Sequence, residues 1–434
     1  MNDAALKALL ALVTEDRLRD STQGSRGILI ASESDKARVI NSAAFRRLQQ
    51  KAQVFPLEAN AAVRTRLTHS IEVSQIGRYL AQRVIKISGS SAGSYEQLAA
   101  FVNTIETACL LHDIGNPPFG HLGESAVQEW FTDEKNNALV PDLCSFDGNP
   151  QGFRLMSFLS GADSNGLNLT ATLLLSTVKY PWDLEHKPDD KKIGLFSSDF
   201  SLYEKACDKL NWTVGRRFPF VRLMDTADDI AYSMSDLEDG LEKKIISLAD
   251  LEKEFGQERF SKGSVPPFIK FKTDVINTAV KAAADVFTTR LDDVLAGESF
   301  DLVDQDSEIG QLLNQVGRFA RAQIYSDEAA EKVELAGRSV IKGLLKHFGE
   351  LIKLPVDSFS ALVDSDFKTI KKNNLHFHAR LFRRLPKSYV EKYRAEERGD
   401  EKHRRSHLIV DFVSGMTDDF ALETYQVLEG IKIK

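Results

Sequence analysis

The chain has little of what marks several protein classes. Its 434 residues include only three cysteines, Cys109, Cys144 and Cys207. Their unrelated spacings form neither a disulfide framework nor a zinc knuckle, and so few thiols point to a reducing cytoplasm. No apolar run approaches the ~20 residues that a membrane span requires, so no membrane partner is expected. The N-terminal stretch from Met1 to Asp16 reads as an acidic-flanked amphipathic helix. It lacks the basic start and small-residue cleavage site of a secretory signal. Strand alternation is hardly signalled anywhere, and no internal repeat or low-complexity tract stands out. What remains is the composition of a soluble globular protein, 42% apolar and 27% charged, with room for more than one core.

The formal net charge of −7 conceals an asymmetry. Residues 371–407 hold twelve Lys or Arg against five Asp or Glu. Such a block suits a solvated face, a polyanion site or a subunit contact, and by itself chooses none of them.

Apolar spacing predicts a mainly α fold. After a Ser-, Gly- and Arg-rich loop, a helix is expected to open with Ser32 or Ser34 as its cap and to run through Phe45 towards Gln53. Leu67, Ile71, Ile76, Leu80, Val84 and Ile87 form the next stripe, with His69 off its centre near the N-terminal end. Residues 88–94 read as a flexible connection. Ile105, Ala108 and Leu111 carry a helix that Gly115 and the Pro117–Pro118 pair then stop. A helix over 122–131, a polar loop over 133–150, a helix from about Gln151 and an apolar segment over 169–180 follow. Residues 182–200 read as loop.

A long helix is expected from Pro219 to Leu251. Asp225, Asp228, Tyr232, Asp236 and Asp239 recur at steps of three and four along it, so they share one face. Four stacked carboxylates repel by a few tenths of a kcal/mol per pair unless cations or water intervene. Residues 270–287, 309–320, 328–348 and 418–429 also read as helices, with the basic block between the last two.

The most informative stretch is Thr107-Ala-Cys-Leu-Leu-His112-Asp113-Ile-Gly-Asn116-Pro-Pro-Phe-Gly120-His121-Leu-Gly-Glu124. Its adjacent histidine and aspartate stand on a last helical turn beside a bend. Neighbouring helix positions diverge by ~100°, so the pair reaches one ion only from its flank, with other ligands arriving from elsewhere. This pattern resembles the HD phosphohydrolases. The resemblance implies His69, His112, Asp113 and Asp228 as ligands of one divalent ion. Manganese or magnesium is the first expectation, and iron, zinc or nickel also suit two imidazoles with two carboxylates. Taken singly, each has a plainer reading: a helix-start histidine, a capping pair, an exposed acidic turn.

Further blocks narrow the likeness. Phe45-Arg46-Arg47-Leu48 through Gln53, Arg64-Thr-Arg66-Leu-Thr-His69-Ser, Gly148-Asn149-Pro-Gln151-Gly-Phe-Arg154 and Ala227-Asp228-Asp-Ile-Ala-Tyr232-Ser-Met-Ser-Asp236 resemble successive blocks of the deoxyguanosine triphosphate triphosphohydrolases. The match is dense over residues 20–245 and returns at Ser414-Gly-Met-Thr-Asp418. It implies an N-terminal helix and loop over 1–40, an HD phosphohydrolase core over 41–255 and an additional C-terminal helical region over 256–434, with few or no strands. It also implies hydrolysis of a deoxynucleoside triphosphate, dGTP preferred, to deoxynucleoside and intact triphosphate.

By the same resemblance His121 is the catalytic histidine and Glu124 orients it or sets its protonation. A first-turn acid favoured by the helix dipole is the plainer account of Glu124. Arg66, Lys179 and Tyr232 are candidates for holding the nucleotide. Lys179 also reads as a snorkelling helix-end lysine, and Tyr232 as a core tyrosine. Asp236 suits the 3′-hydroxyl, and Gln53, whose amide both donates and accepts, suits base or sugar. Asn149 joins the substrate set, without a role that the residues alone define.

Two competing functions keep the same residues. An HD hydrolase acting on another nucleotide needs only the ligand skeleton. A catalytically weak nucleic-acid-binding or regulatory relative would use the basic block, with Phe377, Phe382, Tyr389 and Tyr393 for stacking on single-stranded DNA. The resemblance also implies a homo-oligomer, with a hexamer expected.

Overall fold

The computed structural model describes residues 3–89, 93–133, 140–161, 163, 165–260 and 263–432. Helices α1 (Asp3–Ala11), α2 (Ile28–Asn41), α3 (Ala43–Arg47), α4 (Arg66–Ser88), α5 (Tyr95–Leu111) and α6 (Gly120–Thr132) open the chain. The short α7 (Pro141–Cys144), α8 (Gly148–Arg154), α9 (Ala171–Ser176) and α10 (Phe200–Lys209) lead to α11 (Pro219–Glu242). Then come α12 (Leu248–Phe255), α13 (Pro267–Thr289), α14 (Leu291–Ala296), α15 (Glu308–Gln323) and α16 (Glu328–Lys353). The last six are α17 (Val356–Val363), α18 (Phe367–Lys372), α19 (His376–Phe382), α20 (Lys387–Ala395), α21 (Glu401–Ser414) and α22 (Asp418–Leu428). Among the described residues there is no strand, only the isolated bridges Arg17–Thr170 and Ala52–Thr65. The mainly α expectation holds, and no described helix is long and apolar enough to cross a membrane.

Helix α4 packs against α5, α11 and α13, and α16 lies against α6, α21 and α22. One hydrophobic cluster extends from Ala5 to Ala421. Each fully buried Leu, Val or Phe in it contributes ~1.5–3 kcal/mol, which holds three site-bearing helices at fixed spacing. The stripe on α4 differs in detail from its expected membership. Ile71 is 51% exposed and Ile87 39% exposed, while Val73, Ile76, Leu80, Ala81 and Val84 are buried. With α5, α11 and α13 on several sides, the buried face is broader than one stripe, and it takes in His69, which is fully buried.

Several boundaries shift for local reasons. Helix α2 starts at Ile28 after Gly27, whose φ of 81° suits glycine. Ser32 is interior, its hydroxyl donating back to Leu29 O at 2.8 Å, so neither Ser32 nor Ser34 is the cap. The expected run to Gln53 breaks at Ser42, whose side chain accepts from Phe45 N and caps α3. The 133–150 segment contains α7, and residues 134–139 lie outside the described set, as do residues 90–92 of the expected flexible connection. Asp147 caps α8, which therefore begins at Gly148 and not near Gln151. The long acidic helix ends at Glu242, and Ser247 caps α12 with a reciprocal bond to Asp250. The basic block is itself helical, forming α19, α20 and part of α21.

Candidate active site and metal centre

Two helix ends and the middle of a third helix deliver the site. Thr65 caps α4 with a capping box to Thr68, which fixes Arg66 and His69 in its first turn. His112 closes α5, and Asp113 follows in the turn before Gly115. Asp228 comes from the middle of α11. Arg64 ties the start of α4 to α11 by bonding Glu72 at 2.8 Å and Asp239 at 2.7 Å, with Glu238 also in contact. These pairs, with Lys179 on Asp225 at 2.9 Å and Arg217 on Asp225, supply the cations that the acidic face of α11 requires.

The turn after Asp113 is held by close backbone approach. A Cβ on Gly115 would lie 2.1 Å from Gly148 O and 2.2 Å from Gly152 N, so only glycine lets this turn meet α8. Phe119 adopts a left-handed φ of 60°. Its N–H donates to Asp418 at 3.0 Å, and its ring packs where a Cβ on Gly337 would lie at 2.3 Å. Such over-determination is what sustains a non-glycine residue there. Lys51, buried beneath, donates to Asn116 O at 2.5 Å and to Ser414 O at 2.8 Å, joining the turn to α21.

His69 Nε2 lies 3.2 Å from Asp228 Oδ1, and His112 Nε2 lies 3.4 Å from the same oxygen. Donors 2.0–2.2 Å from one ion stand roughly 3–3.5 Å apart, so these separations are those of ligand edges. His112 Nδ1 faces Cys109 O at 2.7 Å, which sets the tautomer and aims the Nε2 lone pair inward. That Nε2 is buried without a hydrogen-bond partner. Burial alone would raise the Asp228 carboxyl, yet His112 and Lys179 hold it well below the usual range. An uncompensated acceptor, two imidazoles and a carboxylate fit a divalent ion.

Asp113 stands differently. Its Oδ2 is 3.5 Å from His112 Nε2 but accepts from Arg66 at 2.6 Å, and its Oδ1 accepts from Asn116 at 2.7 Å. Burial raises this carboxyl, while Arg66 and His112 bring it down to about 2. The close cluster of donors is His69, His112 and Asp228, with Asp113 on its flank.

A cleft of about 500 Å³ opens over this cluster, lined in part by Gln53, Arg66, His121, Lys179 and Tyr232. That volume is within the range for small-molecule sites. His121 has 86% of its side chain exposed, while its Nδ1 meets Glu124 Oε2 at 3.0 Å. Glu124 is buried and its other oxygen accepts from Gly148 N at 2.9 Å, so the dyad is braced from below. The bond from Glu124 raises the His121 imidazole above its ordinary value. Glu124 is thus more than a dipole-favoured first-turn acid.

Lys179 lies 3.3 Å from Asp228 Oδ2 as well as on Asp225, so it reaches the cluster rather than snorkelling outward. Tyr232 is 39% exposed at the cleft, not a core residue. Asp236 is buried one turn beyond, and its Oδ1 lacks a partner. Burial pushes its carboxyl up to about 7. Gln53 Oε1 is likewise unpartnered, and Asn149 lines the cleft with its amide on Asp147 at 2.6 Å. Arg154, from the same sequence block, lies elsewhere, buried among Asp199, Glu396 and Asp411.

Sequence reading missed three residues. Tyr325, just past α15, bonds both Tyr232 and Asp236 through its hydroxyl. Lys192 reaches Asp147 at 2.7 Å on the cleft wall, and Glu334 on α16 completes the rim. All three come from segments without a motif, and only their position in the fold reveals them. The stacking set fares worse: Tyr389 is buried and Phe382 and Tyr393 pack against the core, leaving Phe377 exposed.

Comparison with known proteins agrees with this geometry. The HD domain model matches residues 66–140, which hold His69, His112, Asp113, His121 and Glu124. The phosphohydrolase-associated domain model matches residues 368–427. The chain is 34% identical to a deoxyguanosinetriphosphate triphosphohydrolase of Enterobacter sp. (strain 638), over 95% of this chain and 97% of that one. It is 35% identical to a protein of the same name from Klebsiella pneumoniae subsp. pneumoniae, over 94% and 95% of the two chains. Likeness on this scale, over nearly the whole of both chains, places the protein in the deoxyguanosinetriphosphate triphosphohydrolase family of HD-domain hydrolases.

Proposed function

We propose that this chain hydrolyses deoxynucleoside triphosphates, dGTP preferred, at the α-phosphorus, giving deoxynucleoside and intact triphosphate. The observation that carries the reading is the meeting of two sets at one cleft: His112 and Asp228 on its floor with His69 buried beside them, and the His121–Glu124 pair on its wall. His69, His112, Asp113 and Asp228 would hold the divalent ion, manganese or magnesium by the family's chemistry. Bound there, such an ion polarises a phosphoryl oxygen and makes water more acidic.

The remaining steps belong to the side chains. Arg66, Lys179 and Lys192 line the cleft and offer cations to the polyphosphate. His121, its Nδ1 held by Glu124, presents Nε2 towards the cleft and donates to the leaving 5′-oxygen. The Tyr232 ring fills the place a 2′-hydroxyl would take, which favours the deoxy sugar. Asp236 Oδ1 and Gln53 Oε1, both buried without partners, are acceptors free for sugar or base.

The test is incubation with each deoxynucleoside triphosphate and manganese, with products separated by anion-exchange chromatography. Tripolyphosphate beside free deoxynucleoside is expected, fastest from dGTP. Pyrophosphate with a monophosphate, or orthophosphate with a diphosphate, would contradict the reading.

A further inference from the structure

A second group of metal-type donors lies away from the cleft. His403 and His407, one turn apart on α21, converge with Asp142 of α7, and one donor atom of each lies within 4.8 Å of the others. We propose that Asp142, His403 and His407 form a second, structural site for a zinc-class divalent ion, clasping α7 to α21.

Three observations carry it. His407 is 1% exposed, and neither of its ring nitrogens has a hydrogen-bond partner among the described residues. A buried polar group left unsatisfied is destabilising, and an ion removes that cost for one nitrogen. His403 Nε2 lies 3.5 Å from Asp142 Oδ2, long for a hydrogen bond and near the ~3.4 Å that separates two tetrahedral ligands of zinc.

The donor arrangement is the third. Two histidines at i and i+4 on one helical face are a recurrent zinc pair. Their ring centroids are 4.4 Å apart. Ser197 donates to Asp142 through its N–H at 2.8 Å and its hydroxyl at 2.9 Å, the outer bonds that orient a ligating carboxylate. Imidazole with one carboxylate selects a transition ion over magnesium or calcium.

His403 keeps 16% of its side chain exposed, which gives the ion an entry path. The site would join the segment after the HD-matched region to the phosphohydrolase-associated region. It stands independently of the catalytic reading.

The experiment strips the full chain with a chelator and titrates zinc in competition with a chromophoric chelator. His403→Gln should take up one equivalent fewer than the wild-type chain. Equal uptake by the two chains overturns the proposal. Should the variant fail to fold, zinc-edge anomalous scattering from wild-type crystals decides. A peak bounded by Asp142, His403 and His407 supports the site, and its absence from zinc-soaked crystals overturns it.

Discussion

Two regions of this molecule are densely charged, and they use charge in opposite ways. In the cleft, Arg66, Lys179, Asp113 and Asp228 surround a cavity, and two atoms of its lining lack partners: His112 Nε2 and Gln53 Oε1. Where α8 meets the C-terminal region, Arg154 spends its guanidinium on Asp199, Glu396 and Asp411. Arg405 there bonds Glu401 and the carbonyl of Leu354, and Lys392 donates to Phe158 O. Valences left open towards a cavity mark a place for a ligand, whereas charges closed on one another hold helices together. Counting basic residues in the sequence does not separate the two.

The contrast can be broken by removing one group from each side. Asp228→Asn should have the largest effect, because it removes the carboxylate charge that both histidines face. Loss of outer-shell partners costs ~10–100-fold in metal affinity, and loss of this ligand should exceed that. Isothermal titration with manganese, alongside turnover, measures it. Near-normal binding would mean that the cleft is not the metal centre.

His121→Ala should lower kcat by ~10²–10⁴-fold while manganese binding stays intact. The pH profile sharpens this. Glu124 raises the His121 imidazole, and a protonated donor is present below that value and lost as pH rises through it. The falling alkaline limb should therefore move to lower pH in Glu124→Gln. An unmoved limb would detach Glu124 from the histidine's proton.

On the structural side, Arg154→Ala leaves buried carboxylates uncompensated and should destabilise the fold by ~3–5 kcal/mol, read from the denaturant midpoint. A change near zero would mean that this network is not what binds α8 to α21. The smallest effect is expected from Arg383→Glu with Arg384→Glu. Both are exposed, so stability should stay within ~0.5 kcal/mol. Salt-dependent binding of single-stranded DNA that these reversals abolish would make the outer half of the block a polyanion surface.

The sequence made the cleft's floor legible because His112 and Asp113 are adjacent and the bend after them is written in Gly115 and two prolines. The acidic face of α11 was legible through its spacing. The cleft's rim was not, since Tyr325, Lys192 and Glu334 reach it from segments far off in sequence. Exposure of Ile71 was equally hidden, because a periodic stripe tells which residues align and not how wide a neighbouring helix covers. The arrangement of the basic block was hidden for a related reason. Periodicity and charge do not reveal that Lys392 and Arg405 turn inward, or that Tyr389 is core.

The account rests on His69, His112 and Asp228 meeting around one ion beside the His121–Glu124 pair. Crystals of the protein grown with manganese and a non-hydrolysable deoxynucleotide, measured for manganese anomalous scattering, test it most directly. A peak within ~2.0–2.3 Å of both Nε2 atoms and Asp228 Oδ1, with the α-phosphate against it, is the predicted result. Nucleotide bound in the cleft with no manganese peak between those three side chains would contradict the account.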